Sequence, residues 1–135
     1  MNSLYKQVQT FNRNILGIEP RELGLQDSKE FLLSFQQMSE ETFEFLQANQ
    51  EEDLVGVVDA LIDNLVFTLG VVYKLGINEP MFNEMFTTVM AANMEKKIGK
   101  KNGRGSIGAA DAVKPLGWVP PEVRLNEIIN VGKQP

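Results

Sequence analysis

Apolar residues recur along this chain at the spacing of α-helices, and the pattern predicts four long helices and one short one. Leu4, Val8, Phe11 and Ile15 fall three and four positions apart, so a first helix is expected over residues 4–16, closed by Gly17 and Pro20. Ser28 is a suitable N-cap for a second helix reaching about residue 48, with Phe31, Leu32, Phe35, Met38, Phe45 and Leu46 on its apolar face. Glu51, Glu52 and Asp53 suit the positive end of a helix dipole, and a third helix is expected from there to residue 75. Gly76 follows as the residue just past its end. This helix carries Val57, Val58, Leu61, Ile62, Leu65 and Val66 around more than one face, which is expected of a helix at the centre of a bundle. A fourth helix opens at Glu79-Pro80 and continues to residue 97, since proline is tolerated near a helix start. Residues 99–117 read as a loop rich in glycine and lysine. Trp118-Val119-Pro120-Pro121 reads as a docking turn, with a last short helix over residues 121–130. No strand alternation is visible. The fold expected is all-α, an antiparallel four-helix bundle with a basic, Gly-rich C-terminal tail. Residues 1–98 would form the helical bundle, and 99–135 a loop and short helix belonging to the same single domain.

Composition narrows the chemistry more than the fold. The chain has 135 residues, enough for one domain with its own core. It contains neither cysteine nor histidine. Disulfides, thiolate sites, thiol nucleophiles, histidine triads and most transition-metal sites are thereby excluded. What is left is carboxylates, lysine, arginine, hydroxyls, or a hard cation held by oxygen. The net charge of −5 argues against a general nucleic-acid binder. Lys96, Lys97, Lys100, Lys101 and Arg104 nonetheless concentrate positive charge in one segment, which suits a small anionic ligand. Residues 1–7 show no secretory signal. Residues 54–77 are apolar enough to raise the question of a membrane span, but Asp59, Asp63, Asn64 and Lys74 interrupt them. A buried bundle helix in a cytoplasmic protein is expected, with no membrane partner.

The informative residues are acids. Glu40, Glu41 and Glu44 form Glu-Glu-x-x-Glu in the second helix, and Asp59 and Asp63, four apart, share a face of the third. Acids at such spacing also make ordinary solvated helix faces or structural ion pairs. Asp59 and Asp63, however, sit in Val57-Val58-Asp59-Ala60-Leu61-Ile62-Asp63-Asn64-Leu65-Val66-Phe67, where little solvent face is available. Buried carboxylates are costly alone and repel one another in pairs, and a divalent cation relieves both penalties.

Together these motifs resemble the all-alpha nucleotide pyrophosphohydrolase superfamily, which includes MazG-like proteins, dimeric dUTPases and phosphoribosyl-ATP pyrophosphatases. That superfamily carries Glu-Glu-x-x-Glu on one helix and a pair of acids on the next; here the second pair is four apart rather than the commoner three. The likeness extends through Phe82-Asn83-Glu84-Met85-Phe86, Ala92-Asn93-Met94-Glu95-Lys96 and Val113-Lys114-Pro115-x-Gly117-Trp118-x-Pro120-Pro121. It implies a Mg²⁺-dependent enzyme (Mn²⁺ is an alternative) that cleaves a nucleoside triphosphate to monophosphate and pyrophosphate. Glu41, Glu44, Asp59 and Asp63 would hold the metal, with Glu40 positioning or deprotonating the water. Asn93 and Lys96 would contact sugar or phosphates, and Lys100, Lys101, Arg104 and Lys114 would clamp phosphates from the tail or form a solvated basic loop. Phe11, Asn14, Phe67 and Trp118 are candidates to line a base pocket.

Two other readings stay open: a phosphoribosyl-ATP-type pyrophosphatase, and a non-catalytic helical interaction module. Gly103-x-Gly105-x-x-Gly108 matches a dinucleotide fingerprint but follows a helix and lacks a βαβ unit, so it reads as a loop. A third helix apolar all round has more greasy surface than one chain covers, and a homodimer or a dimer-of-dimers tetramer is expected.

Overall fold

The computed structural model describes residues 2–99 and 111–135. Among them the chain forms five helices and one short antiparallel ladder: α1 (Leu4–Asn14), α2 (Ser28–Gln50), α3 (Leu54–Lys74), α4 (Glu79–Met94), β1 (Lys97–Gly99), β2 (Asp111–Val113) and α5 (Glu122–Gly132). The protein is mostly helical, as its periodicity predicts. It divides into two compact units, Met1–Glu79 and Pro80–Pro135.

Local chemistry sets the helix ends, and several differ from expectation. Asp27 rather than Ser28 caps α2, its carboxylate accepting the Glu30 N–H at 2.8 Å. A charged acceptor outbids the neighbouring hydroxyl. The acids 51–53 do not open α3 together. Glu51 closes α2, Glu52 makes the turn at φ 57°, and Asp53 alone caps α3 by accepting the Gly56 N–H at 3.0 Å. A Cβ on Gly56 would stand 2.5 Å from that carboxylate, so glycine leaves room for the cap. α4 ends at Met94, earlier than expected, because Lys97–Gly99 pairs in extended form with Asp111–Val113. Three-residue strands are too short to print an alternation, which is why the sequence reading of no strands fails here. Residues 100–110, and with them Lys100, Lys101, Arg104 and the glycine run, lie outside the described residues.

In the first unit α2 and α3 form an antiparallel hairpin. Its register follows from three contacts: Gly56 lies against Ala48, the Asn64 amide donates to Thr42 Oγ1 at 3.1 Å, and Ser34 and Gln37 share a pocket with Gly70 and Val71. α1 covers the far end of α3, where Tyr5, Val8, Asn12, Leu69 and Tyr73 are buried. The chain linking α1 to α2 is tied across this end. Tyr73 donates its hydroxyl to the Ile18 carbonyl at 2.6 Å, and Tyr5 donates to the Ile77 carbonyl. Gly24 N–H bonds the Leu75 carbonyl at 3.0 Å. Gly76, at φ 78°, passes so close to the Glu22 carbonyl that no Cβ could fit.

α3 is not central within its own chain, contrary to the expectation from its composition. Val55 is 80% exposed, Leu54 74% and Ile62 54%, and only Ala60, Leu69, Gly70 and Tyr73 are buried. α2 and α1 cover one stripe of the helix, and the described chain leaves the rest of its apolar circumference open. Among the described residues α3 is also the one helix long and apolar enough to cross a membrane, with a mean hydropathy of 1.9 over its most apolar stretch.

In the second unit Ala92 and Ile128 are buried, and Arg124 of α5 bonds Glu84 of α4 at 2.7 Å. The ladder pairs Lys97 with Val113 and Gly99 with Asp111.

Candidate active site

The hairpin register decides which acids meet. Thr42 opposite Asn64 sets Glu41 and Glu44 beside the turns that carry Asp63 and Asp59. Glu41 and Asp63 are half-buried, and one of the Glu41 carboxylate oxygens, Oε2, is buried with no hydrogen-bond partner. Burial pushes the Glu41 carboxyl above the usual carboxylate range; Glu44, Asp63 and Asp59 add to the shift through their negative charge, and a hydrogen bond with Glu44 adds further. Three of the sequence-selected acids therefore act on a fourth, Glu41. Glu40 stands apart: it is exposed and receives the Gln36 amide at 3.2 Å.

Mutual influence is not yet a ligand cage. Among the described residues no three acids converge closely enough to hold an ion as they stand. Like charges repel, so carboxylates facing one another without a cation splay apart. The orphaned Glu41 oxygen, the carboxyls bearing on it and an all-oxygen donor set fit a hard divalent cation. A buried acceptor with nothing donating to it costs about 1–3 kcal/mol, and more when charged, so it needs a partner.

One to three turns along the same hairpin, about 5–16 Å of helix rise from Asp63, lies a pocket of about 60 Å³. Its walls include Phe11 and Phe67, both expected at a base pocket, together with Asn12, Ser34, Gln37 and Lys74. Asn14 is not part of the lining; Asn12 takes that place. Asn12 is 3% exposed, and its amide donates to the Val8 carbonyl at 2.9 Å. Ser34 is 5% exposed and receives the Gln26 amide at 3.0 Å. Sequence reasoning missed both, although a polar residue at position 12, one turn after Val8 on the buried face of α1, was a visible signal.

The remaining sequence-selected residues lie in the second unit. Lys96 donates to Asn93 Oδ1 at 2.8 Å. Its ammonium is 5.1 Å from the centre of the Trp118 ring, and that of Lys114 is 4.9 Å from the same ring. Trp118 is fixed by its indole N–H, which donates to the Ala92 carbonyl at 2.7 Å.

Residues 17–93, more than half of the chain, match the family described as phosphoribosyl-ATP pyrophosphohydrolase. The chain belongs to that family. It is thereby part of the MazG-like all-alpha nucleoside triphosphate pyrophosphohydrolase superfamily. No curated protein matches the chain. The family match takes in α2, α3, nearly all of α4 and every acid of the site, while Lys96, Lys114 and Trp118 lie beyond it. A pyrophosphohydrolase family acts on phosphoric anhydrides, and that class of reaction is one that carboxylates with a hard cation serve well.

Proposed function

We propose that this protein is a Mg²⁺-dependent nucleotide pyrophosphohydrolase that converts a nucleoside triphosphate to its monophosphate and pyrophosphate. The observation that carries the reading is the buried, partnerless Glu41 oxygen under the charges of Glu44, Asp63 and Asp59. In this reading Glu41, Glu44 and Asp63 hold the metal and Asp59 joins them; Mn²⁺ fits the same donors. When bound, the cation supplies charge neutralisation at the phosphoryl oxygens and lowers the pKa of nearby water. Glu40, exposed and one residue away, takes the proton from the attacking water. The water oxygen bonds to the α- or β-phosphorus as the bridging P–O bond between them breaks, and pyrophosphate and monophosphate result. Asn93, Lys96 and Lys114 bind phosphates, and Lys100, outside the described residues, joins them. The pocket beside Phe11 and Phe67 receives the base, with the Asn12 amide at its edge.

A second substrate, phosphoribosyl-ATP, is favoured by the family match itself. It calls for the same attack and the same acids, so the choice turns on the base and ribose contacts.

The reading includes an assembly. The bare faces of α3 and a groove of about 570 Å³ on α2, lined by Phe35, Phe43 and Leu46, support a homodimer or dimer-of-dimers in which four helices per protomer complete a bundle. A cytoplasmic, membrane-free protein without nucleic-acid partners is the matching expectation. A strictly monomeric sedimentation profile would overturn the assembly.

The experiment is a panel of NTPs, dNTPs (dUTP included) and phosphoribosyl-ATP, with and without Mg²⁺, read as pyrophosphate against orthophosphate. Metal-dependent pyrophosphate release, absent in Asp63→Asn, is the expected result. A folded protein that releases nothing, and whose melting temperature ignores Mg²⁺, would make the acids structural and the protein an interaction module.

A further inference from the structure

Apolar packing between two helices has no direction, so by itself it fixes their register weakly. A polar side chain in the seam does have direction, and one such residue is the best-attested device for setting register between helices. Asn64 has the placement for it. It stands half-buried in Leu61-Ile62-Asp63-Asn64-Leu65-Val66, where an amide needs a partner. It donates to Thr42 Oγ1 at 3.1 Å, and among the described residues this is the one side-chain hydrogen bond that joins α2 to α3. Thr42 is a ready acceptor, because its own hydroxyl proton is committed to the Met38 carbonyl at 2.9 Å, one turn back. That bond fixes the Thr42 rotamer and leaves its lone pairs for the Asn64 amide. The level at which the bond crosses the seam gives it consequence. Thr42 follows Glu41 in the chain, and Asn64 follows Asp63. The carboxylates of the two helices repel one another when no cation lies between them. The bond ties α2 to α3 one residue away from the groups that push them apart.

We infer that Thr42 and Asn64 are positioning residues of the acid site, whose hydrogen bond holds Glu41 and Glu44 in register with Asp63 and Asp59 for a shared divalent cation. Neither residue touches the cation. One residue of slip moves a side chain about 1.5 Å along a helix and about 100° around it. A hard divalent cation tolerates only a few tenths of an ångström in the distances to its oxygens, so a slipped pair of helices would not share one. Thr42 and Asn64 both line the apolar groove on α2 and none of the acids does, so the pair can be altered without entering the site. The inference rests on the metal reading of the acids and adds to it two uncharged residues that act through them.

The full chain, stripped with chelator, is titrated with Mn²⁺ by calorimetry. Thr42→Val keeps the shape of the side chain and removes its oxygen, and Asn64→Leu removes the amide. Each should weaken Mn²⁺ binding about fivefold, the scale of one neutral hydrogen bond. The double variant should be no weaker than either single one, because both break the same bond. Thr42→Ser keeps the acceptor and should bind Mn²⁺ as the parent does. In the pyrophosphate-release assay the Mn²⁺ concentration giving half the maximal rate should rise by the same factor, with kcat at saturating Mn²⁺ retained. Thr42→Val and Asn64→Leu that bind Mn²⁺ with parental affinity, whatever their urea midpoints, would make the bond merely structural and overturn the inference. Additive losses in the double variant, or Thr42→Ser falling with Thr42→Val, would overturn it as well. A parent that binds no Mn²⁺ would overturn the metal reading and this inference with it, a result seen before any substitution is made.

Discussion

The two ends of the α2–α3 hairpin are built on opposite principles. At the α1-covered end, buried polar groups have partners: Tyr73 with Ile18, Tyr5 with Ile77, Asn12 with Val8, Ser34 with Gln26. At the other end Glu41 is sunk among like charges with an oxygen that nothing donates to. Satisfied buried groups hold a fold in one arrangement, whereas an unsatisfied one is a standing cost that persists only where something else is gained. The contrast teaches where stability and chemistry reside in this unit. Substitutions at the paired end should cost stability and leave the reaction step alone; substitutions among the acids should cost the reaction and relax the fold.

The largest effect expected follows from the acid end. Glu41→Gln keeps shape while removing the carboxylate on which burial and the charges of Glu44, Asp63 and Asp59 bear. In the proposed reaction it should lower kcat about 10³-fold, the scale on which charge-stabilising groups act in phosphoryl transfer. The same substitution should raise the denaturation midpoint of the metal-free protein at neutral pH, because one of the mutually repelling carboxylates is gone. Chelator-treated parent and variant compared by urea unfolding give the second half of the result. A variant both inactive and less stable would show that Glu41 holds the fold together, and the contrast between the two ends would collapse.

The next effect belongs to the paired end and appears in alkali. Burial, with contributions from the charges of Tyr73 and Glu79, pushes the Tyr5 phenol up to about 12. The folded protein therefore holds that proton more tightly than the unfolded chain, which releases it near 10. Its contribution is complete below about pH 10 and is lost as pH rises toward 12. Two pKa units correspond to roughly 2–3 kcal/mol. Tyr5→Phe should flatten that part of the stability curve, measured as denaturation midpoint against pH. Equal slopes in parent and variant would mean the Tyr5 hydroxyl is no more confined than in the unfolded chain.

How much of this was legible beforehand depends on the range of the interaction. Helical periodicity placed all five helices, because each depends on residues three and four apart. Their ends were misjudged where a neighbour competed, as Asp27 did with Ser28, or where a three-residue ladder claimed Lys97 from α4. The acids could be paired from spacing plus resemblance, and the structure brings Glu44, Asp59 and Asp63 to bear on Glu41. What spacing could not show was that Glu41 and Asp63 are the half-buried acids, since that depends on how α2 turns against α3. Asn12, Ser34 and the lysine pair on Trp118 were not legible as structures either. Each is made by contacts between elements, such as the 26-residue reach from Trp118 to Ala92. The centrality expected of α3 failed for a related reason: composition tells that a face must be covered, not that its own chain covers it.

The smallest effect is also the cleanest trial of the contrast. Tyr73 reaches from the last turn of α3 to the Ile18 carbonyl, and its ring is 3% exposed. Tyr73→Phe keeps the ring and its packing and removes a single hydroxyl. The Ile18 carbonyl then loses its donor at a part-buried position, which costs roughly 1–1.5 kcal/mol and a few degrees in Tm. Because the hydroxyl touches neither the acids nor the pocket lining, kcat for the best nucleotide should be unchanged once the assay temperature is well below the new Tm. A fall in kcat with Tm intact would place the tyrosine-tied end inside the reaction. The loop from residue 15 to 27 that it fastens would then belong to the catalytic apparatus rather than to its support.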